Sequence, residues 1–335
     1  MSDGCDVRDV QLVRVHVMAG DMPAVAEPLA EATRLLAGRD EPFWVGWCRF
    51  FASLSAFSAG RVEESESLIA EAVASFRRSG ERWSLSNGLL QGGIVHELRG
   101  RLHEAATWYG ESLVHAGALR FRSAEARARV RLASVSEALG DPDTAAEVCA
   151  QCMDLARELA DGTLLSTTRV VLARIARARG EIGEADALTE AVLHAPEMRQ
   201  RDLRMIGINE RGFVLAVAGR RNDALAQHRD ALRLSTSSAD VRFVATALEG
   251  VAGCLTDTDA ARSAMLLGAA ETVRGAPVPG TGADRAYLDG TTARARAALG
   301  DRLYEEALET GRALTVHEAT ALALRDERTS SPTPT

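Results

Sequence analysis

The chain has 335 residues, a formal net charge of −8 at pH 7 and no lysine, so all 39 basic residues are arginine. The absence of lysine excludes a Schiff-base lysine and the lysine of a phosphate-binding loop. The negative charge disfavours nucleic acid as a direct partner. No apolar run approaches the length of a membrane span and the first residues have no apolar signal core, so we expect no membrane partner and a cytoplasmic location.

Glycines recur about every 40 residues, each between two helix-like stretches and each followed by a charged residue. A fixed period in this range is typical of stacked helical hairpins. Glycine suits the end of the first helix of each hairpin, because a residue with positive φ costs least there. The turn glycines are Gly20, Gly60, Gly100, Gly140, Gly180 and Gly219.

The pattern predicts two helices for each hairpin, one on either side of the turn glycine. The first helices are expected near residues 5–19, 42–59, 81–99, 121–139, 162–179 and 197–218. Their partners are expected near residues 21–38, 61–79, 101–118, 141–160, 181–194 and 220–235. A seventh, degenerate hairpin spans about 240–274, with Thr256 and Asp257 in place of the turn glycine.

Small residues recur seven positions before and five and twelve positions after the turn glycines. Examples are Gly93, Ala105 and Ser112 around Gly100. This arrangement resembles the tetratricopeptide (TPR) pattern, in which small side chains let neighbouring helices approach closely. It predicts an all-α fold, a right-handed superhelical solenoid of TPR-like hairpins with repeats of about 40 residues.

The last part of the chain departs from the repeat. Glycine and proline are concentrated around Gly275–Gly282, which breaks the helical pattern, and short helices are expected after it near 285–299, 301–310 and 316–324. We therefore predict a solenoid over residues 1–274, a Gly/Pro linker over 275–283, capping helices over 284–324 and a disordered tail over 325–335.

Four segments in this region are specific in sequence, namely 264–271, 297–301, 311–315 and 317–319. They resemble the end of the helical-repeat region of large actinobacterial transcriptional regulators of the LuxR and AfsR type. In those regulators an ATPase module precedes the repeats, and in many of them a helix-turn-helix DNA-binding domain follows. This chain has no phosphate loop and stops where that domain begins. The resemblance thus implies a ligand-sensing module without its own ATPase or DNA-binding domain, which acts on such modules as partners.

The first helices of a right-handed stack line its concave groove, so their exposed faces form the predicted binding site. This site is aromatic at one end, cationic in the middle and polar further on, which is typical of binding hot spots. We expect it to hold a small molecule or a peptide or protein segment with an apolar part and an acidic group. The predicted ligand-binding residues are Trp47, Phe50, Phe51, Leu54, Phe57, Asn87, Gln91, Glu97, Arg127, Arg131, Arg174, Arg177, Asn209, Glu210 and Phe213.

Other interpretations of the same residues stay open. Trp47 and Phe51 also suit packing against a neighbouring hairpin. The groove also suits a pure protein-interaction scaffold, and an enzyme would need Glu97, Glu137 or Glu210 as an acid or base. No cofactor or metal is expected, because the pair Cys149 and Cys152 falls on packing positions and the sequence after His103 lacks the second histidine of H-E-x-x-H.

Overall fold

The computed structural model describes residues 25–36, 40–235, 241–275, 278 and 280–325. These residues form sixteen α-helices, a 3-10 helix at Pro196–Arg199 and no strand. The α-helices are α1 Ala26–Leu36, α2 Pro42–Ser58, α3 Val62–Ser79, α4 Arg82–Leu98, α5 Leu102–Ala118, α6 Arg122–Ala138, α7 Pro142–Glu158, α8 Gly162–Ala178, α9 Ile182–Leu193, α10 Arg201–Val217, α11 Arg221–Ser235, α12 Val241–Leu255, α13 Ala260–Arg274, α14 Ala283–Leu299, α15 Asp301–Arg312 and α16 Val316–Leu324.

The predicted all-α class is confirmed, and most predicted helices lie within two residues of the observed ones. The largest difference follows α9, where a continuous helix over 197–218 was expected. Gln200 has extended backbone angles (φ −71°, ψ 119°), so a 3-10 helix ends there and α10 begins at Arg201. The helix predicted at 5–19 and most of the predicted tail lie outside the described residues, and the predicted division into domains stays a prediction.

The chain divides into two compact units, residues 1–164 and 165–335, with the boundary inside α8. In the first unit, α2 packs on α3, α4 on α5 and α6 on α7, as expected for helical hairpins. Gly60, Gly100 and Gly140 end the first helix of each pair with φ values of 75°, 72° and 91°. The turn chemistry therefore explains the 40-residue period within this unit.

A second set of left-handed residues joins each hairpin to the next. Gly80, Arg120 and Ala160 are 40 residues apart and have φ values of 71°, 54° and 50°. Only the first of these is glycine, and an L-residue with a side chain is strained by about 1–2 kcal/mol in this conformation. The connections between hairpins thus repeat the same geometry without repeating the residue.

We expect Ala160→Gly to stabilise the protein by about 0.5–1 kcal/mol. Relief of left-handed strain at this position exceeds the extra backbone entropy that glycine loses on folding. Urea unfolding monitored by circular dichroism measures the change. Ala118→Gly, at the end of α5, is the matched control and should lose up to about 1 kcal/mol, since it gains no such relief. A loss of stability in Ala160→Gly would contradict the strain argument.

In the second unit, α13 and α15 meet at their backbones. A Cβ atom on Gly268 would lie 2.1 Å from the carbonyl oxygen of Leu308, and one on Gly311 would lie 1.9 Å from that of Met265. Next to this contact, Arg312 Nη2 lies 2.7 Å from Glu271 Oε2. Gly268, Glu271, Gly311 and Arg312 belong to the segments near the end of the chain that are specific in sequence. In this structure those residues serve helix packing.

Candidate functional site

In the first unit, one continuous line of contacts through Trp83 joins three predicted binding residues, Trp47 of α2, Asn87 of α4 and Arg127 of α6. The rings of Trp47 and Trp83 are 5.5 Å apart. Asn87 Nδ2 donates to the Trp83 carbonyl oxygen at 2.8 Å, and Arg127 Nη2 donates to Asn87 Oδ1 at 3.2 Å. We call this the α2–α4–α6 surface, and it comprises Trp47, Phe50, Phe51, Leu54, Phe57, Trp83, Asn87, Gln91, Glu97, Arg127 and Arg131.

Glycines on the other face of α4 explain how this helix presents its polar residues. A Cβ atom on Gly92 would lie 2.1 Å from the Trp108 ring, and one on Gly93 would lie 2.4 Å from the Tyr109 ring. These large rings of α5 therefore fit directly against the α4 backbone. Asn87 and Gln91 lie on the more open side of the helix, where both side chains are half-buried.

The aromatic end of the surface is mostly packed. Trp47 and Phe51 are 8% and 3% exposed and belong to a core with Phe76, so both follow the packing interpretation. Phe50, Leu54 and Phe57 are half-buried. Trp83, which the groove positions did not include, is 39% exposed and offers its ring to solvent. Trp83 lies one helical turn before Asn87 in the sequence, and this spacing could have identified it as part of the same surface.

The cationic part of the surface is accessible. Arg127 is exposed, and the Arg131 side chain is 41% exposed, with Nη1 3.8 Å from Glu97 Oε2. Desolvation by the surrounding protein lowers the pKa of Arg127. The charge of Asp161 opposes this shift, and the like charge of Arg131 adds to it. Two neighbouring guanidinium groups that remain accessible are suited to binding a carboxylate.

In the second unit, the other predicted site residues meet in a buried ionic cluster. Arg177 Nε donates to Glu210 Oε1 at 2.9 Å, and its Nη2 donates to Asp284 Oδ1 at 2.6 Å. Arg174 Nε lies 3.6 Å from both carboxylates. Both residues were predicted to line an open groove. Their side chains are instead buried, with 2% of Arg177 and 4% of Glu210 exposed.

The arginine and carboxylate side chains of this cluster remain charged. Burial lowers the pKa of Arg177, but Glu210 and Asp284 more than offset this and raise it overall. Burial likewise raises the pKa of Asp284, while Arg174 and Arg177 outweigh it and hold that pKa below its ordinary value. The ionised pair is stable because each buried charge has a hydrogen-bonded partner of opposite sign.

The remaining predicted residues of this unit pack beside the cluster. Asn209 Oδ1 and His228 Nδ1 are 2.7 Å apart, and the Phe213 ring lies 4.7 Å from the His228 ring. Phe213 also contacts the Tyr287 ring, with the ring centres 4.9 Å apart. Asp284 and Tyr287 belong to α14, outside the repeat, and no spacing in the sequence indicated them.

The three acid–base candidates have different surroundings. Glu97 Oε2 accepts a hydrogen bond from the Tyr109 hydroxyl at 2.7 Å. Glu137 is buried, and Glu210 is paired with arginine as described. Within the described part of the chain, no group of three histidine, cysteine or acidic residues is placed to hold a metal ion. Burial raises the pKa of the Cys149 thiol to about 12 and that of Cys152 to about 11.

No described helix is long and apolar enough to cross a membrane. No protein-family model matches the sequence. No curated protein matches it either.

Solved structures do match the fold. A Rap protein in complex with the Competence and Sporulation Factor has a TM-score of 0.70 and 11% identity, over 96% of this chain and 89% of that chain. The quorum sensor NprR from B. thuringiensis, in its apo form, has a TM-score of 0.60 and 13% identity over 92% and 89%. The signal transduction ATPase of Pyrococcus horikoshii with a tetratricopeptide repeat sensor has a TM-score of 0.53 and 10% identity over 90% and 44%. These similarities confirm a TPR-like helical-repeat fold.

Proposed function

We propose that this chain is a regulatory binding module that holds a peptide on its α2–α4–α6 surface. The observation that supports this most is the continuous line of contacts from Trp47 through Trp83 and Asn87 to Arg127. It links the first helices of three successive hairpins, so one extended ligand can contact all three. A single repeat offers no comparable length of surface.

The chemistry of this surface suits a peptide with an acidic group. The exposed ring of Trp83 can cover an apolar side chain. Asn87 and Gln91 have amides that both donate and accept hydrogen bonds, as a peptide backbone requires. Arg127 and Arg131 supply guanidinium groups for a carboxylate. NprR has also been solved in complex with its cognate peptide NprX, with 14% identity and a TM-score of 0.63 over 72% of this chain and 71% of that chain, which supports a peptide as the ligand.

Because some segments resemble LuxR- and AfsR-type regulators, we extend this proposal to the regulation of other protein modules. A ligand that binds three hairpins at once favours one curvature of the repeat over others. In an actinobacterial transcriptional regulator, that change would restrain or release an ATPase or DNA-binding module in the cytoplasm. This chain would then be the sensing part of the system, and those modules its protein partners.

We expect Trp83→Ala and Arg127→Gln each to weaken the binding of the same peptide at least tenfold. The loss of one charge-assisted hydrogen bond or one stacked ring corresponds to about 1.5–3 kcal/mol. A library of linear decapeptides with free α-carboxylates identifies ligands of the wild type, and fluorescence anisotropy measures their Kd. Arg122→Gln is the matched control, because Arg122 lies on the same helix but pairs with Glu158 of α7.

Two results would argue against the peptide proposal. If the selected peptides bind Trp83→Ala and Arg127→Gln as tightly as the wild type, the ligand lies elsewhere on the chain. If the library yields no ligand, native mass spectrometry of protein from its own cells separates the alternatives. A retained small molecule would indicate a small-molecule sensor, and a co-purifying protein would indicate a scaffold.

A further inference from the structure

The start of α14, residues 283–287, contacts the predicted binding face of α8 and α10 at three points. Arg177 Nη1 donates to the Ala283 carbonyl oxygen at 3.3 Å, and Arg177 Nη2 donates to the Asp284 carboxylate at 2.6 Å. One turn later, the Tyr287 ring packs edge-on against the Phe213 ring at 4.9 Å. A carbonyl group, a carboxylate and an aromatic ring of one short segment thus occupy this face.

The shape of the face is matched to this segment. A Cβ atom on Gly253 of α12 would lie 2.1 Å from the Tyr287 hydroxyl oxygen, so the glycine leaves room for the end of the side chain. Arg174 adds a second positive charge 3.6 Å from Asp284 Oδ2. Since Asp284 and Tyr287 are three residues apart in a helix, both point to the same side.

Without α14, the face retains one counter-ion, Glu210. Arg177 is also bound to Glu210 at 2.9 Å, and Arg174 lies 3.6 Å from the same carboxylate. Phe213 also packs against the His228 ring. Departure of the α14 first turn would therefore leave the buried Arg177 guanidinium paired with Glu210, and this avoids the high cost of an unpaired buried charge.

α14 is attached more loosely than its neighbour. Its buried residues are Ala283, Thr291 and Ala295, three of 17, whereas α13 has eight buried residues of 15. The described residues directly before α14, 280–282, are irregular and include Gly280 and Gly282. Local opening is expected where few apolar contacts hold an element.

We propose that residues 283–287 are an internal ligand of a second binding face, formed by α8, α10 and α12. Its external ligand is a helical peptide of a partner protein that has an acidic residue in its first turn and an aromatic residue three positions later. Such a peptide displaces α14 and takes its place on Arg177 and Phe213. This goes beyond the proposed function, because it concerns a different face and a different kind of peptide.

The test uses a fluorescein-labelled synthetic peptide of residues 281–300 and the full chain. The Asp284→Asn/Tyr287→Ala variant weakens the internal ligand, so we expect it to bind the peptide at least tenfold more tightly than the wild type does. A peptide with the same two substitutions is the matched control and should bind neither protein. Absence of binding to a variant that circular dichroism shows to be folded would overturn the proposal.

Hydrogen exchange on the wild type provides the second measurement, which does not depend on the variant. We expect the amides of α14 to exchange at least tenfold faster than those of α13 under native conditions, because α14 opens without global unfolding. Equal exchange in both helices would show that α14 leaves the face only when the unit unfolds, and would overturn the proposal even if the double variant did not fold.

Discussion

Gly250→Ala is expected to destabilise the protein by about 3 kcal/mol or more. The fully buried His228 ring lies between α10 and α12, where a Cβ atom on Gly250 would be 2.2 Å from Nδ1 and one on Gly212 would be 2.5 Å from Cε1. Overpacking costs about 1–3 kcal/mol. The ring cannot move aside without breaking its hydrogen bond with Asn209, which adds about 1–3 kcal/mol.

Urea unfolding monitored by circular dichroism tests this, with Gly290→Ala as the matched control in the same unit. Gly290 lies inside α14, and the nearest atom to its added Cβ would be Arg294 Nη1 at an ordinary 3.7 Å. That variant should gain about 0.5–1 kcal/mol, since alanine is the better helix former. If Gly250→Ala remained within 1 kcal/mol of the wild type, the His228 ring would not be confined as described.

Helix positions and the class of fold were predictable because their causes are local and repeated. Each turn glycine acts within a few residues, and the small positions also have a direct structural reason. Gly93 accommodates the Tyr109 ring and Gly212 the His228 ring, at the same spacing of 16 residues. A pattern that recurs at every hairpin gives several independent indications of one geometry, so a single substitution does not hide it.

The arrangement of the candidate site residues was predictable only where it follows the same period. Asn87 and Arg127 are 40 residues apart, and their contact was implied by the stacking of equivalent helices. How deeply Trp47 and Phe51 are buried depends on the volume of the rings around them, which the period does not describe. The contact of Arg177 with Asp284 joins residues 107 apart, one of them in a helix outside the repeat. No local pattern indicates such a pair.

His228 should make the stability of the protein depend on pH. Burial and, to a smaller extent, the charge of Arg177 lower its pKa to about 3, so the native state keeps the ring neutral far below its ordinary pKa of 6.5. As the pH falls below 6.5, the unfolded chain gains a proton that the native state does not bind. The contribution of His228 is therefore complete above pH 6.5 and is lost on acidification towards pH 3, by about 4–5 kcal/mol in total.

Glu249 has the opposite effect in the same range. Burial raises the pKa of its carboxyl group from 4.5 to about 7, although Arg274 Nη2 lies 2.5 Å away and opposes the shift. Between these two values the unfolded chain has released the proton and the native state still holds it. Stability thus falls by up to about 3 kcal/mol as the pH rises from 4.5 to 7.

Because the two slopes nearly cancel between pH 4.5 and 6.5, single variants should reveal them. Relative to the wild type, Glu249→Gln should gain about 2–3 kcal/mol of stability as the pH rises over this range, and His228→Gln should lose a similar amount. Urea unfolding at half-unit pH steps measures both, and the comparison with the wild type removes the titration of all other carboxyl groups. Parallel pH profiles for the wild type and both variants would show that His228 and Glu249 are protonated equally in the folded and unfolded chain.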